Sequence, residues 1–351
     1  MLDPRVLTAS YSRRDAPQSF PLTDFYFVKP QPVEGNEYEL IYYPAMMEAA
    51  PTNAPGAEAR ILAPGGADAR KASLFTVFNK VMLPAEAITA LREPDSLSLQ
   101  DAGRTSIARV FDEFSERHRL LKELVIAKTL TMGVVHLDAA GRVLESSTGA
   151  TMTCDFGVPA SRRGNLSGAI AALWSDPAAR IGDQIDAIRD QAEADGSEPP
   201  TEIWLHSSTK RHLRNNTQFS DWAKYHYVQS EVVLRGDMIP NLWGLNWRFF
   251  GGKYRSAEGT MVDFIPQTRA ILTPPAGRPW MRAAHGSTLV PKSISIAGDV
   301  QTALQETSKF HGPFSYARLV DDPLSVYLYM GDKFGLHFAD PNAVWQPTVF
   351  A

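Results

Sequence analysis

The sequence predicts an α+β fold, with extended segments and helices in separate stretches of chain. Three observations carry that expectation. Eleven of the 25 prolines lie between Pro4 and Pro94, and none lies between Asp95 and Val158. Aromatic and β-branched runs fill the proline-rich part, whereas apolar residues recur at helical spacing inside the proline-free part. Period-two alternation marks the C-terminal part. Proline removes an amide donor and blocks helix interiors, so the first part should be extended and the second can hold long regular elements.

Residues 1–24 mix charges with Pro17 and Pro21 and read as an arm with no core of its own. Asp24 to Pro30 (DFYFVKP) and Glu37 to Pro44 (EYELIYYP) read as strands. The Ala/Pro/Gly-rich stretch from Met46 to Ala72 holds too few large apolar residues to fold alone. Ser73 to Pro84 (SLFTVFNKVMLP) reads as a second strand. Two strands joined by a long tip form an extended hairpin, best stabilised by lying on a neighbouring molecule.

A long helix is predicted from Thr105 to Thr131, spanning roughly 40 Å at about 1.5 Å per residue. Its apolar positions include Ile107, Val110, Phe111, Phe114, Leu121, Leu124, Val125 and Ile126. Glu113 and Arg117 stand four apart and support the exposed face. Val134, His136 and Asp138, the turn Ala139-Ala140-Gly141, and Arg142-Val143-Leu144 read as a hairpin, followed by a strand ending at Asp155-Phe156-Gly157. Ser175 or Asp176 should cap the next helix, with Pro177 in its first turn. That helix buries Ile181, Ile185, Ile188 and Ala192, and turns Asp183, Asp186, Asp190 and Glu193 to solvent. Pro199-Pro200 forces an extended chain into Glu202 to Leu205, a core strand. A short basic helix follows, with Lys210, Arg211 and Arg214.

Asn241 to Phe250 reads as a strand running into a turn at Gly251-Gly252, and Thr260 to Ile265 and Arg269 to Leu272 as further strands. Leu324, Val326, Leu328 and Met330 alternate before Gly331-Asp332, and Phe334, Leu336 and Phe338 after it, which reads as a hairpin turning there. Asp340-Pro341-Asn342 turns the chain into a last extended segment, Val344 to Phe350, an edge strand at best because of Pro347.

The bulk numbers are those of a folded globular chain: 44% apolar, 21% charged, formal net charge −4. That balance gives no global signal for nucleic acid. One cysteine, Cys154, rules out an internal disulfide framework and a Cys-based zinc site, and reads as a small buried residue of a strand in a reducing compartment. The N-terminus has no signal-peptide core, and no apolar run is long enough to span a bilayer.

No motif points to chemistry. There is no GxGxxG, no GxxxxGK[ST] and no GxSxG. Gly65-Gly66 and Gly251-Gly252 read as turns. His206 and His212 form the closest histidine pair, with no carboxylate at a diagnostic spacing, and read as capping or surface residues; His226 reads as a packing residue. Asp183, Asp186 and Asp190 share a helix face that reads as solvated rather than as an acid/base pair. Arg162-Arg163 and Lys210, Arg211 and Arg214 read as basic patches that are solvated or intersubunit. Arg60, Arg70, Lys71 and Lys80 lie in the extended lobe, where they are candidate intersubunit contacts with an acidic neighbour. No catalytic, cofactor-binding or metal residue is expected, and no cofactor.

Four features in order carry a resemblance: the extended lobe, the long helix, the hairpin ending Cys154-Asp155-Phe156-Gly157, and the helices flanking Glu202 to Leu205. Asp322-Pro323-Leu324 and Asp340-Pro341 add to it. Together the chain resembles the lambda-type phage major capsid protein family, capsid protein E. The resemblance implies the Hong Kong 97-type capsid fold. Residues 1–24 would be an N-terminal arm, 25–85 an extended E-loop, and 86–160 a peripheral domain with a spine helix. Residues 161–290 would be an axial domain and 291–351 the return to the peripheral domain.

It implies a non-enzymatic subunit that builds hexamers and pentamers of an icosahedral head around double-stranded DNA, assembled in the host cytoplasm. Expected partners are further copies of itself, a separate scaffold, a portal, possibly a decoration protein, and DNA contacted non-specifically, with no membrane. Two alternatives remain at this point: an encapsulin-type compartment shell, and an enzyme with an unrecognised site in 161–291.

Overall fold

The computed structural model describes residues 20–42, 68–82, 97–166, 168–225, 238–291, 307–321 and 324–351. Along the chain, α1 (Pro21–Tyr26) precedes β1 (Gln31–Val33), β2 (Glu37–Tyr42), β3 (Asp68–Ser73) and β4 (Phe75–Met82). The long helix α2 (Leu97–Met132) leads into β5 (Val134–Leu137), β6 (Val143–Leu144) and β7 (Met152–Asp155). Next come β8 (Arg163–Gly164), α3 (Ile181–Ala194), β9 (Glu202–His206), α4 (Lys210–Asn215) and α5 (Thr217–Tyr225). Then follow β10 (Met238–Leu242), β11 (Leu245–Phe250), β12 (Lys253–Arg255), β13 (Met261–Asp263) and β14 (Ile271–Thr273). The chain ends through β15 (Met281–Pro291), β16 (Thr307–His311), β17 (Phe314–Asp321), β18 (Leu324–Phe338) and β19 (Gln346–Pro347).

The described residues fall into two units, one drawn from Met1–Tyr38, Lys71–Glu123 and Ala283–Leu336, the other from Glu39–Arg70, Leu124–Arg282 and His337–Ala351. In the first, β18 pairs with β17, β4 and β15, and β15 in turn carries β1 and β16. Alternation gives this sheet two unlike faces. Phe75, Leu328, Met330, Asp332 and Phe334 are buried on one of them. That face meets the first part of α2, where Phe111, Ser115 and His118 are buried. Asn79 Nδ2 and His118 Nε2 lie 3.2 Å apart across this packing.

The second unit is built on the sheet β10–β11–β9–β14. β9 is buried at every position, parallel to β11 with Ile203 opposite Trp247 and antiparallel to β14 with Leu272 opposite Ile203. Ile181, Ile185, Ile188 and Ala192 of α3 are fully buried with Trp174, Leu205, Trp345 and Phe350 in one cluster. The C-terminal segment is locked to β14 by reciprocal bonds: Leu272 N to Trp345 O at 2.9 Å and Trp345 N to Leu272 O at 3.0 Å. β5 is flanked by β6 and β7, as the hairpin reading requires.

Several sequence expectations are corrected. Phe25 and Tyr26 lie in α1 rather than in a strand, because Pro21 opens a helical turn whose amides find an acceptor in α2. Leu22 and Tyr26 are fully buried, so the end of the expected arm is packed. The partner of β2 is β3, cut from the Ala/Gly-rich stretch, whereas β4 joins β18. The long helix begins at Leu97 and runs 36 residues, since no proline stops it. Asp176 Oδ1 accepts from Ala178 N at 2.9 Å in a turn ahead of α3, whose N-cap is Arg180 with no side-chain cap bond.

Asn241 to Phe250 is not one strand. Trp243 and Gly244 both have positive φ and form the turn between β10 and β11. Gly251 and Gly252 serve close packing instead: a Cβ at Gly252 would stand 2.3 Å from the Phe250 ring. The hairpin expected at Gly331-Asp332 does not exist, since β18 runs unbroken for 15 residues and hairpins with β17 at its other end. Cys154 is in a strand as expected but only half-buried.

Candidate functional site

The first unit holds a cluster of buried charge where α1, α2, β15 and β18 meet. Phe20 at the N-cap of α1 has no side-chain acceptor to offer the first helix amides. Glu123 supplies one from α2. Its Oε1 accepts from Leu22 N at 3.0 Å, and its Oε2 from both Thr23 N and Thr23 Oγ1 at 2.7 Å. Burial raises the Glu123 pKa, and these three bonds oppose the rise.

The neighbouring Lys122 turns to Asp332 on β18 and forms a buried ion pair. Its ammonium also lies 5.0 Å from the Phe27 ring centroid and 5.2 Å from that of Phe334. Asp332 Oδ1 stands 3.2 Å from His285 Nδ1 on β15. Burial alone would raise the Asp332 carboxyl, but Lys122 and His285 outweigh it and hold the pKa below its usual value. One turn earlier on α2, burial pushes His118 down to about 4, with Lys122 lowering it further and Asp332 working the other way. A cleft of about 310 Å³ opens beside the cluster, lined among others by Phe20, Asp24, Arg119 and Pro313. Lys122, Asp332 and His285 pair inside the cluster, so this arrangement fastens the Phe20–Phe27 segment, a helix and two strands to each other.

The other face of the β4–β18–β17 sheet is exposed at β4 and half-buried along β18, and Phe314 of β17 is buried on it. On β4 it carries Phe78, Lys80 and Met82, directly opposite Gly331, Tyr329 and Tyr327 of β18. On β17 it carries Phe314, Tyr316 and Arg318, opposite the same three residues. Tyr316 and Tyr329 stack at 4.9 Å, and Phe78 stacks on Tyr329 at 5.7 Å and on Phe314 at 6.0 Å. Phe78 and Met82 are 52% and 56% exposed.

Of the four candidate contact residues, Lys80 lies on this outer face, its Nζ 5.3 Å from the Tyr327 ring centroid. Arg70 and Lys71 lie on β3, and Arg60 lies outside the described residues. The acidic face of α3 is exposed as expected, with Arg180 2.9 Å from Asp183. Lys210 sits over the Phe249 ring at 5.0 Å. Arg162 does not belong to a surface patch: it is buried, ion-paired with Asp195, and lies 3.6 Å over Trp345. His206 and His212 do not converge on a site: His206 Nδ1 bonds the Ser208 hydroxyl at 2.7 Å, and the His212 ring packs tilted against Phe350 with centroids 5.2 Å apart. His226 lies outside the described residues. No group of three or more His, Cys, Asp or Glu able to hold a metal occurs among the described residues. No described helix is long and apolar enough to cross a membrane.

Sequence reasoning missed Glu123, Lys122 and Asp332. The available signal was a Glu-Leu-Val-Ile run, in which a charge adjoins the apolar positions of a helix.

A family model described as phage major capsid protein E matches residues 3–289. The search of curated proteins finds no match. Among solved structures, the chain is similar to the capsid protein of an Escherichia coli CFT073 prophage. Identity is 14% and the TM-score 0.59, with 99% of each chain covered. It is also similar to a phage-related protein from Bordetella bronchiseptica RB50. Here identity is 11% and the TM-score 0.54, covering 99% of this chain and 96% of that one. At these identities the two structures show a shared fold.

Proposed function

The chain belongs to the phage major capsid protein E family, and on that premise we propose that it is a Hong Kong 97-type shell subunit that assembles into hexamers and pentamers of an icosahedral phage head. The observation that carries the reading is the family match over residues 3–289, on a chain sharing the fold of a prophage capsid protein along 99% of its length. The β2–β3 pair supports it. A two-stranded sheet standing alone is marginal in water and gains stability when a neighbour covers it. Closed rings of identical subunits supply such cover through repeated head-to-tail contacts.

The resemblance assigns residues 1–24 to an arm, 25–85 to an E-loop, 86–160 and 291–351 to a peripheral domain, and 161–290 to an axial domain. The role is structural rather than enzymatic, in the virion, after assembly in the host cytoplasm. Arg70, Lys71 and Lys80, with Arg60, serve as contacts between subunits. A scaffold and a portal act as assembly partners, with a decoration protein as a possible addition, and the packaged DNA is contacted through its backbone charge.

The test is expression of the chain alone and with its neighbouring genes, followed by negative-stain electron microscopy and light scattering. Rings, tubes or closed shells support the reading. A persistent monomer in both preparations overturns it.

A further inference from the structure

We propose that the outer aromatic face of the β4–β18–β17 sheet is an interface that receives a second copy of this chain. The inference rests on the assembly reading above and adds which surface assembles. Phe78 and Met82 sit on one face of β4, 52% and 56% exposed, with Tyr329 and Tyr316 stacked beside them. Exposed Met152, Met261 and Leu289 instead stand one to a strand. A contiguous aromatic and methionine patch marks an interaction site, and single exposed apolar residues do not. Its Phe, Tyr, Met and Arg composition is that of the core of a protein–protein interface.

Three features point to a second copy as the occupant. Among the described residues no strand pairs with the outer edges of β4 and β17, and an open strand edge is where another chain can add. The charges on this face are Lys80, Arg318 and Lys333, all cationic, and a copy with a net charge of −4 complements them. Three cations, one of them held by Asn36 and Ser287, are few for a phosphate track, which disfavours nucleic acid as the occupant. Burying Phe78 and Met82 between copies removes the apolar exposure of β4.

The test compares wild type with Phe78→Glu/Met82→Glu by sedimentation velocity and electron microscopy, with Met261→Glu as the matched exposed control on a separate strand. The double variant should need at least about tenfold more protein for half-assembly, since truncating an interface anchor costs about 1–2 kcal/mol or more. Met261→Glu should assemble as wild type does. Assembly of the double variant at the wild-type concentration overturns the proposal while leaving the assembly reading intact. Wild type that forms no particle overturns the assembly reading instead. A photo-cross-linking p-benzoylphenylalanine at Tyr329 decides the matter even where the glutamates prevent folding or no particle forms. Links to a second copy support the interface, and links to nucleic acid or another protein, or none at all, overturn it.

Discussion

Phe78 on β4 stands directly opposite Gly331 on β18, and Phe314 on β17 stands opposite the same glycine from the other side. The two rings stack at 6.0 Å. Gly331 leaves bare backbone in the middle of a strand, and flanking aromatic rings compensate for a missing side chain by covering it. The glycine therefore belongs to the packing of the aromatic face and ends no strand.

Replacing Gly331 by alanine should destabilise the first unit by about 1–3 kcal/mol, the usual cost of overpacking. A Cβ there would lie 2.6 Å from Val77 O and 2.7 Å from the Phe314 ring, and backbone yields less readily than a side chain. The gain from replacing a strand glycine, about 0.5–1 kcal/mol, is too small to offset this. Urea unfolding followed by far-UV circular dichroism measures the difference, and an unchanged midpoint would mean that the ring and β4 shift aside.

Glu123→Ala should free the Phe20–Phe27 segment. It strips the acceptor from Leu22 N, Thr23 N and Thr23 Oγ1 at once, for a cost of about 2 kcal/mol at the scale of charged hydrogen bonds and helix caps. Hydrogen exchange of the peptide covering these residues should accelerate well beyond that of β9. Glu123→Gln keeps one acceptor oxygen and should fall between the two. Equal protection in all three proteins would show that other contacts hold α1.

Acid should weaken the first unit in two windows. The unfolded chain protonates His118 near 6.5 and the folded chain near 4, so between those values the unfolded state binds more protons and stability falls as pH falls. The full step is worth about 3 kcal/mol for the buried ring. Asp332, held below 3.8, loses its contribution only at lower pH still. Glu123 acts in the opposite sense, because its raised pKa lowers stability as pH rises above 4.5 and so partly masks the histidine. His118→Gln should therefore flatten the rise in stability between pH 4 and 6.5, and Glu123→Gln should steepen it. Denaturant midpoints across that range separate the two, and parallel curves for all three proteins would exclude both assignments.

Much of this fold was legible in the sequence, and the failures share a cause. Ile181, Ile185 and Ile188, and the wholly apolar centre of β9, declared their burial by period alone. β18 was misread because Gly331-Asp332 looks like turn chemistry. Yet Leu328, Met330, Phe334, Leu336 and Phe338 all keep even numbers, whereas a two-residue hairpin turn would switch the parity. The unbroken phase was the better signal. Asp332 is where a local rule fails for a long-range reason, since its partners Lys122 and His285 come from distant parts of the chain. The α1 helix was hidden in the same way, because its acceptor lies 100 residues further on. The aromatic face needed the register of three strands, which no single segment contains.

The extended lobe offers the most direct test of assembly. β2 and β3 pair with each other and join no larger sheet among the described residues. The sequence joining them, from residue 43 to residue 67, carries little large apolar surface with which to stabilise a fold. Replacing residues 43–67 with an Asn-Gly turn should therefore leave a folded subunit. All seven tryptophans lie in the second unit, mostly with the α3 and β9 core, so their fluorescence should keep its native maximum. The same protein should fail to close shells if, as proposed above, the lobe lies on the neighbouring subunit. Electron microscopy and light scattering read that outcome. Shells of normal size from the shortened chain would refute the lobe's role in assembly, and a shifted tryptophan maximum would place this stretch in the core of the subunit.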